Sequence, residues 1–253
     1  MNGGGESRKV GLSRALSKLG FCSRSQAAVM IRAGRVRLNG AKRGNPEHPV
    51  RLDRDRIEVD GKVVTAKSKT YVMLNKPRGV VTTAADEKSR ETVYAFLPEN
   101  VPWLGPVGRL DKASEGLLLL TNDSEWAARI SDPHSHLDKT YHVQVAAMAD
   151  EAVVEQLVRG VLADGELLRA KSASILRSGE KNTWLEIVLD EGRNRQIRRM
   201  AEQLRMDVLR LVRVAIGPLV LGELKKGQSR AITRTGKEAL DRAINARLGE
   251  KQH

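Results

Sequence analysis

The stretch Trp103–Asp123, WLGPVGRLDKASEGLLLLTND, governs the reading of this chain. Gly108-Arg109-Leu110-Asp111 follows a Pro-Gly-rich approach and precedes Ser114-Glu115-Gly116. Leu117 to Leu120 then form a short apolar run bounded by turn residues, which predicts a buried strand. Asp111 therefore falls on a loop abutting a rigid core strand. Catalytic carboxylates are often held on such loops, partly desolvated by the scaffold. On residue types alone, an Asp that pairs with Arg109 or caps a turn is the commoner reading.

Upstream, Tyr71-Val72-Met73-Leu74 reads as a strand after a linker at Lys67-Ser68-Lys69. Lys76-Pro77-Arg78-Gly79 reads as a turn, because Pro fixes one backbone angle and Gly permits the unusual one. Val80-Val81-Thr82-Thr83 is expected to return as a second strand. Downstream, KTYHVQV (139–145) alternates as a strand. A helix is expected from Asp150 to Arg159, then strands near Leu167–Leu176 and Trp184–Leu189. An Arg-rich helix from Asn194 to Leu204 precedes a strand near Val208–Ala215, and a last helix spans Thr235 to Leu248. Residues after about 245 read as frayed. Strands dominate with helices between them, so the expected class is α+β with a mixed, mainly antiparallel central sheet and the site in a cleft across it.

The first sixty residues read differently. Residues 1–8 are a Gly- and Ser-rich tail. Leu12, Ala15, Leu16 and Leu19 have helical spacing, and Gly20 ends that helix. Ser23 caps a second helix whose face carries Ala27, Ala28 and Ile31, with Gly34 beyond its end. Val36 and Leu38 alternate with Arg35 and Arg37 in a half-buried strand, and Asn39-Gly40 is a tight-turn signal. Ile57 and Val59 form a further strand before Asp60-Gly61. Two short helices feeding a small hairpin, ringed by Arg14, Arg24, Arg32, Arg35 and Arg37, make a compact basic module. Arg binds phosphate through a planar fork and needs no aromatic partner.

The charge is clustered. The chain has 253 residues with a net charge of +13 and only eight aromatics. Residues 1–60 carry 13 Lys and Arg against 6 acids, and residues 193–213 carry seven Arg against two. Residues 61–192 carry 16 basic and 19 acidic residues. Such clustering is the electrostatic footprint of phosphate binding rather than a solubility surplus. The scarcity of aromatics argues against an RNA binder built on stacking platforms. No apolar run approaches a membrane span and no secretory signal is visible, so a cytoplasmic protein facing a polyanion is expected. The single Cys22 excludes an internal disulfide framework and a cysteine-rich zinc site. His134, His136 and His142 lack the Cys partners or helical spacing of a metal site, so no metal is expected. No dinucleotide fingerprint or phosphate-cradling loop appears.

Two resemblances follow. Ser23-Arg24, Ala27, Ile31, Gly34, Val36 and Asn39-Gly40 resemble the S-four-type RNA-binding domain, named after a ribosomal small-subunit protein. Gly108-Arg109-Leu110-Asp111 with Ser114, Gly116 and Leu117–Asp123 resembles the signature of bacterial ribosomal RNA pseudouridine synthases of the small-subunit and large-subunit type. The likeness continues in Asn75–Val80, in Lys139-Thr140-Tyr141, and in Glu191–Met200 (EGRNRQIRRM). It extends to Val212-Arg213 and Gly217-Pro218, and covers about residues 10 to 240.

The resemblance implies an isomerase that converts a specific uridine of ribosomal RNA to pseudouridine without a cofactor. It assigns Asp111 as the catalytic carboxylate, acting as nucleophile at the sugar carbon or in elimination to a glycal. Tyr141 would pack on the target base or sugar, although strand position alone favours a buried structural ring. Arg193 matches the family's basic partner of the aspartate. Arg109 would lie by the extruded nucleotide, and Leu211 would support the base. Arg195, Arg198 and Arg199 are expected to contact phosphates.

The expected domains are a tail (1–8), the RNA-binding module (9–66), the catalytic domain (67–245) and a second tail (246–253). The partner is ribosomal RNA or a pre-ribosomal particle, with no membrane and a monomeric chain. A ribosome-assembly factor without catalysis would have no need of Asp111, Tyr141 and Arg193 together. A glycosidase would want a second carboxylate beside Asp111, and none is obvious.

Overall fold

The computed structural model describes residues 9–84 and 89–249. The expected tail at 1–8 and the chain end at 250–253 lie outside the described residues. The chain separates into two compact units. One holds the described residues up to Tyr71 with 99–105 and 120–124, and the other holds the remainder.

In the first unit, α1 (Leu12–Lys18) and α2 (Arg24–Arg32) pack beside a small sheet. The helix spacing read from the sequence buries Leu12, Ala15, Leu16, Ala27 and Ile31. Each fully buried Leu or Ile contributes about 1.5–3 kcal/mol relative to exposure. Ser23 starts α2 with a capping box: its hydroxyl accepts from Gln26 N at 3.1 Å, and the Gln26 side chain accepts from Ser23 N at 3.0 Å. Strands β1 (Val36–Leu38), β2 (Ala41–Lys42), β3 (Ile57–Val59) and β4 (Lys62–Val63) lie in the order β2-β1-β3-β4. Asn39 and Gly40 take φ of 52° and 81°, as the two-residue turn between β1 and β2 requires. Val36, Leu38, Ile57 and Val59 point inward, leaving Arg35 and Arg37 outside.

The second unit is built on a mixed sheet. Its main path runs β10 (Ser172–Ser178), β11 (Thr183–Leu189), β7 (Lys139–Val145), β12 (Val208–Ile216), β6 (Glu115–Thr121), β5 (Tyr71–Lys76), β13 (Ser229–Ala231). β10 with β11, β11 with β7, β7 with β12 and β5 with β13 pair antiparallel, while β6 pairs with β12 in parallel, Glu115 facing Val212 and Gly116 facing Arg213. A Cβ on Gly116 would stand 2.3 Å from the Arg213 carbonyl oxygen, so this close approach requires glycine. The four leucines of β6 are fully buried.

Helices α3 (Ser124–Ser131), α4 (Glu151–Arg159), α5 (Gln196–Gln203) and α6 (Arg234–Gly249) complete the chain. Val154 and Leu157 of α4 and Ile197, Met200 and Ala201 of α5 share a core with Val143, Leu185, Ile187 and Leu211 of the sheet.

Four expectations about elements change. Val80–Thr83 is not a strand: only Val81 bridges, to Thr92, and the Thr82 hydroxyl is bonded to the backbone of Leu110. The Leu167–Leu176 strand divides. β9 (Glu166–Leu168) folds back on β8 (Val161–Ala163), and Ala170 N donates to Leu157 O before β10 begins. The Arg-rich helix starts at Gln196, because Arg195 takes a left-handed conformation at φ 48°. α6 continues to Gly249, beyond the expected fraying.

Candidate active site

A cavity of about 470 Å³ opens in the second unit, walled by the Gly108–Asp111 loop, Tyr141 of β7, residues 192–198 before and within α5, and Leu211 and Arg213 of β12. The sequence places Asp111, Tyr141, Arg109, Leu211, Arg193, Arg195 and Arg198 as site residues, and all seven line this one cavity.

The loop that carries Asp111 is pinned from behind. Lys76 ends β5 inside the protein, with none of its surface exposed. Its ammonium donates to the carbonyls of Pro77 (3.0 Å), Asp111 (3.2 Å) and Ser114 (2.8 Å), so its three N–H groups bind both ends of the turn. Burial draws the Lys76 pKa down to about 8, against the pull of Asp111 and Glu115. Gly79 N donates to Lys112 O at 2.7 Å, and Thr82 Oγ1 donates to Leu110 O at 2.8 Å. With its backbone spent on these contacts, Asp111 presents its carboxylate to the cavity.

The cation that stands at Asp111 is Arg195, whose Nη1 lies 3.7 Å from Oδ2. This corrects the expected partner. Arg193 lines the same cavity but is paired with Glu166 and with Glu191, the latter at 2.8 Å. The reason is the left-handed residue at Arg195, which turns the chain between the two guanidiniums. Arg198 donates to Ala113 O at 3.0 Å and so braces the same loop. Burial, then Arg195, holds its pKa below the ordinary arginine value, while Asp111 acts in the opposite sense.

Arg199 is a second correction. It donates to Asp164 (2.9 Å), Glu166 (2.8 Å) and Ala163 O (2.8 Å), which ties α5 to the β8–β9 hairpin instead of leaving a hand for phosphate.

Tyr141 and Arg213 are register partners across β7 and β12, and Val143 pairs with Leu211 next along. Tyr141 and Leu211 therefore present to the cavity from neighbouring strands, with Leu211 nearly buried as an apolar support. Sequence reasoning missed Lys76 and left Arg213 without a role. The available signals were a lysine continuing an apolar strand and one charge inside the run LVRVAI.

In the first unit, Arg14, Arg24 and Arg32 are exposed and make no ion pair among the described residues. Arg37 is exposed and donates only to Gly40 O at 3.2 Å. Arg35 differs: it is paired with Asp60 across the hairpin, Nε to Oδ1 at 3.0 Å. Among the described residues no three His, Cys, Asp or Glu side chains are grouped to hold a metal, and no helix is long and apolar enough to cross a membrane.

Comparison with known proteins bears on both units. Residues 70–203 match the model of the family described as RNA pseudouridylate synthase. The chain is also 36% identical to ribosomal large subunit pseudouridine synthase B of Bacillus subtilis, over 88% of this chain and 91% of the relative. The chain belongs to the RNA pseudouridylate synthase family. Residues 10–57 match the S4 domain. An RNA pseudouridine synthase of Aquifex aeolicus is 35% identical over 93% of this chain and 95% of its own length. A crystal structure of a pseudouridylate synthase superposes with a TM-score of 0.65 and 32% identity, covering 91% of this chain and 99% of the other. As a family member the chain is an isomerase that converts uridine to pseudouridine in RNA, with an α+β fold preceded by an S4 domain.

Proposed function

We propose that this enzyme modifies a uridine of large-subunit ribosomal RNA, with Asp111 as its catalytic carboxylate and residues 9–66 as a separate RNA grip. The observation that carries the catalytic part is the placement of Asp111. Its turn is fixed by Lys76 and Thr82, and its carboxylate faces a cavity with Arg195 at 3.7 Å. The reaction breaks the bond from uracil N1 to sugar C1′, turns the base and joins C5 to the same carbon. It is redox-neutral and consumes nothing. Attack by the carboxylate at C1′ and its assistance of elimination to a glycal both start from the side chain that Asp111 presents to the cavity.

Tyr141 and Leu211 hold the target base between adjacent strands, and Arg109, exposed at the cavity rim, occupies the place the extruded nucleotide leaves. Asp111, Tyr141 and the arginine set are what an assembly factor without catalysis would not need. The substrate class follows from the B. subtilis relative, whose name specifies the large ribosomal subunit, and from the exposed arginines of the S4 domain. On this reading the enzyme works as a single chain in the cytoplasm, where an rRNA substrate would be met.

The experiment is carbodiimide primer-extension mapping of both rRNAs from cells lacking the protein. A lost stop in large-subunit rRNA is expected, restored by the wild-type gene. A lost stop confined to small-subunit rRNA, or no lost stop in either, overturns the substrate assignment.

A further inference from the structure

Arg213 is the single charge in the inward-facing run of β12, and only 6% of it is exposed. Its Nε donates to Leu117 O at 2.7 Å, which fixes the plane of the guanidinium. Its Nη2 is buried and has no hydrogen-bond partner among the described residues. A buried guanidinium with an idle donor is costly, because neither water nor a carboxylate repays its desolvation. Nor is it relieved by its neighbours. Glu115, the buried carboxylate on the adjoining strand, is already taken by Arg210 and Lys226. Lys139, on β7, lines the same cavity and adds a like charge. Burial and then Arg213 draw its pKa down, against Asp190 and Asp138.

Arg213 forms part of the cavity wall beside Tyr141, its register partner, and Leu211. The ligand wanted there is an acceptor on a flat, largely apolar body. Uracil has two carbonyl oxygens on such a ring. When N1 leaves C1′, the electron pair of that bond stays on the ring and spreads to O2 and O4. The negative charge persists until C5 bonds to C1′, after which C5 loses its proton and N1 gains one. We propose that Arg213 is a further catalytic residue: it donates to a carbonyl oxygen of the target uracil and stabilises the charge the ring carries between glycosidic cleavage and reattachment. A fixed donor aimed at developing charge in a dry site is the general form of electrostatic catalysis. A phosphate would have to be stripped of water against Tyr141, Leu189 and Ile216, whereas the exposed arginines of the first unit offer phosphate a wet contact.

This inference rests on the reading of the cavity as the uridine site, and the test separates the two. Single-turnover rates are measured at saturating RNA for the full chain, Arg213→Gln, Arg213→Lys and Asp111→Asn, on one rRNA fragment. Its target is uridine or 5-fluorouridine, whose ring is the better leaving group. The readout is loss of the N-glycoside after digestion, with RNA affinity and thermal midpoint measured alongside.

Arg213→Gln is expected to slow uridine turnover about 100-fold, with RNA affinity little changed. The loss should be several-fold smaller on 5-fluorouridine, and Arg213→Lys should fall between. A loss confined to RNA affinity would make Arg213 a phosphate contact and overturn the proposal. An equal loss on both targets, with a lowered midpoint, would make it a prop for Leu117 and overturn it as well. If Arg213→Gln turns over normally while Asp111→Asn is dead, the proposal fails and the site reading stands. If Asp111→Asn turns over normally, the site reading itself fails.

Discussion

Two arginine-rich regions of this protein look alike in composition and differ in what their charges do. In the S4 domain, Arg14, Arg24 and Arg32 stand exposed on helices with no ion pair among the described residues, and Arg37 is nearly as free. Around α5 and β12, the guanidiniums are committed within the protein. Arg193 holds Glu166 and Glu191, Arg199 holds Asp164 and Glu166, Arg198 braces Ala113, and Arg210 holds Glu115. The first set is available to a polyanion. The second ties its own elements together, and Arg193 and Arg198 of that set also line the cavity. Clustered charge in a sequence therefore marks two distinct uses, and the difference lies in where the carboxylates fall.

The comparison is most easily broken by removing the free set. Replacing Arg14, Arg24, Arg32 and Arg37 together with Gln should reduce the slope of log Kd against log salt by about 3 and weaken binding on the order of 30-fold at moderate salt. Turnover at saturating RNA should be unchanged. Filter binding across a salt series checks this, and an unchanged slope would mean these arginines do not meet phosphate.

The committed set predicts the opposite pattern. Arg199→Ala should lower the thermal midpoint only slightly, since its partners Asp164 and Glu166 are well exposed and solvent screens the pairs, and it should leave the salt slope of RNA binding intact. A lowered salt slope would return Arg199 to the phosphate-binding group.

The smallest effect sharpens the contrast inside the catalytic unit. Lys76 titrates near pH 8 when folded, because burial disfavours its charge, and near its ordinary 10.5 when unfolded. Between those values the unfolded chain binds more protons than the folded one, so this group adds stability as pH rises through the window. Below pH 8 both states are protonated and the contribution is flat. Unfolding of the wild type should take up close to one more proton near pH 9 than unfolding of Lys76→Met, as the pH dependence of denaturant midpoints reports. Equal slopes for the two proteins would show that Lys76 keeps its ordinary pKa.

Much of this molecule was legible from local pattern. The spacing of Leu12, Ala15 and Leu16, the Ser23 cap and the alternation of Val36 and Leu38 each specified one element, and every such signal lay within a few residues. The leucine run 117–120 read as a buried strand for the same reason. What escaped the sequence depends on partners far along the chain. Arg193 and Arg199 meet carboxylates 27 to 35 residues away on the β8–β9 hairpin, and no spacing rule reveals that. Thr82 leaves its expected strand to bond Leu110, 28 residues on. Lys76 looks like a strand end turning toward solvent until three carbonyls are seen to surround it. The proposed catalytic role of Asp111 came from its motif and the resemblance that motif carries, while the contacts that hold its turn came only from the structure.

The central claim is that a carboxylate fixed by Lys76 and Thr82, beside Arg195, performs the isomerisation while the S4 domain supplies a separate grip. Its most direct test is one paired measurement on Asp111→Asn: single-turnover pseudouridine formation and RNA affinity on the same rRNA fragment. Asn keeps the size and the backbone contacts of the loop and removes the charge. The expected result is a rate lowered by at least about 10³-fold with affinity within about threefold of wild type. Near-normal turnover by this variant would contradict the claim.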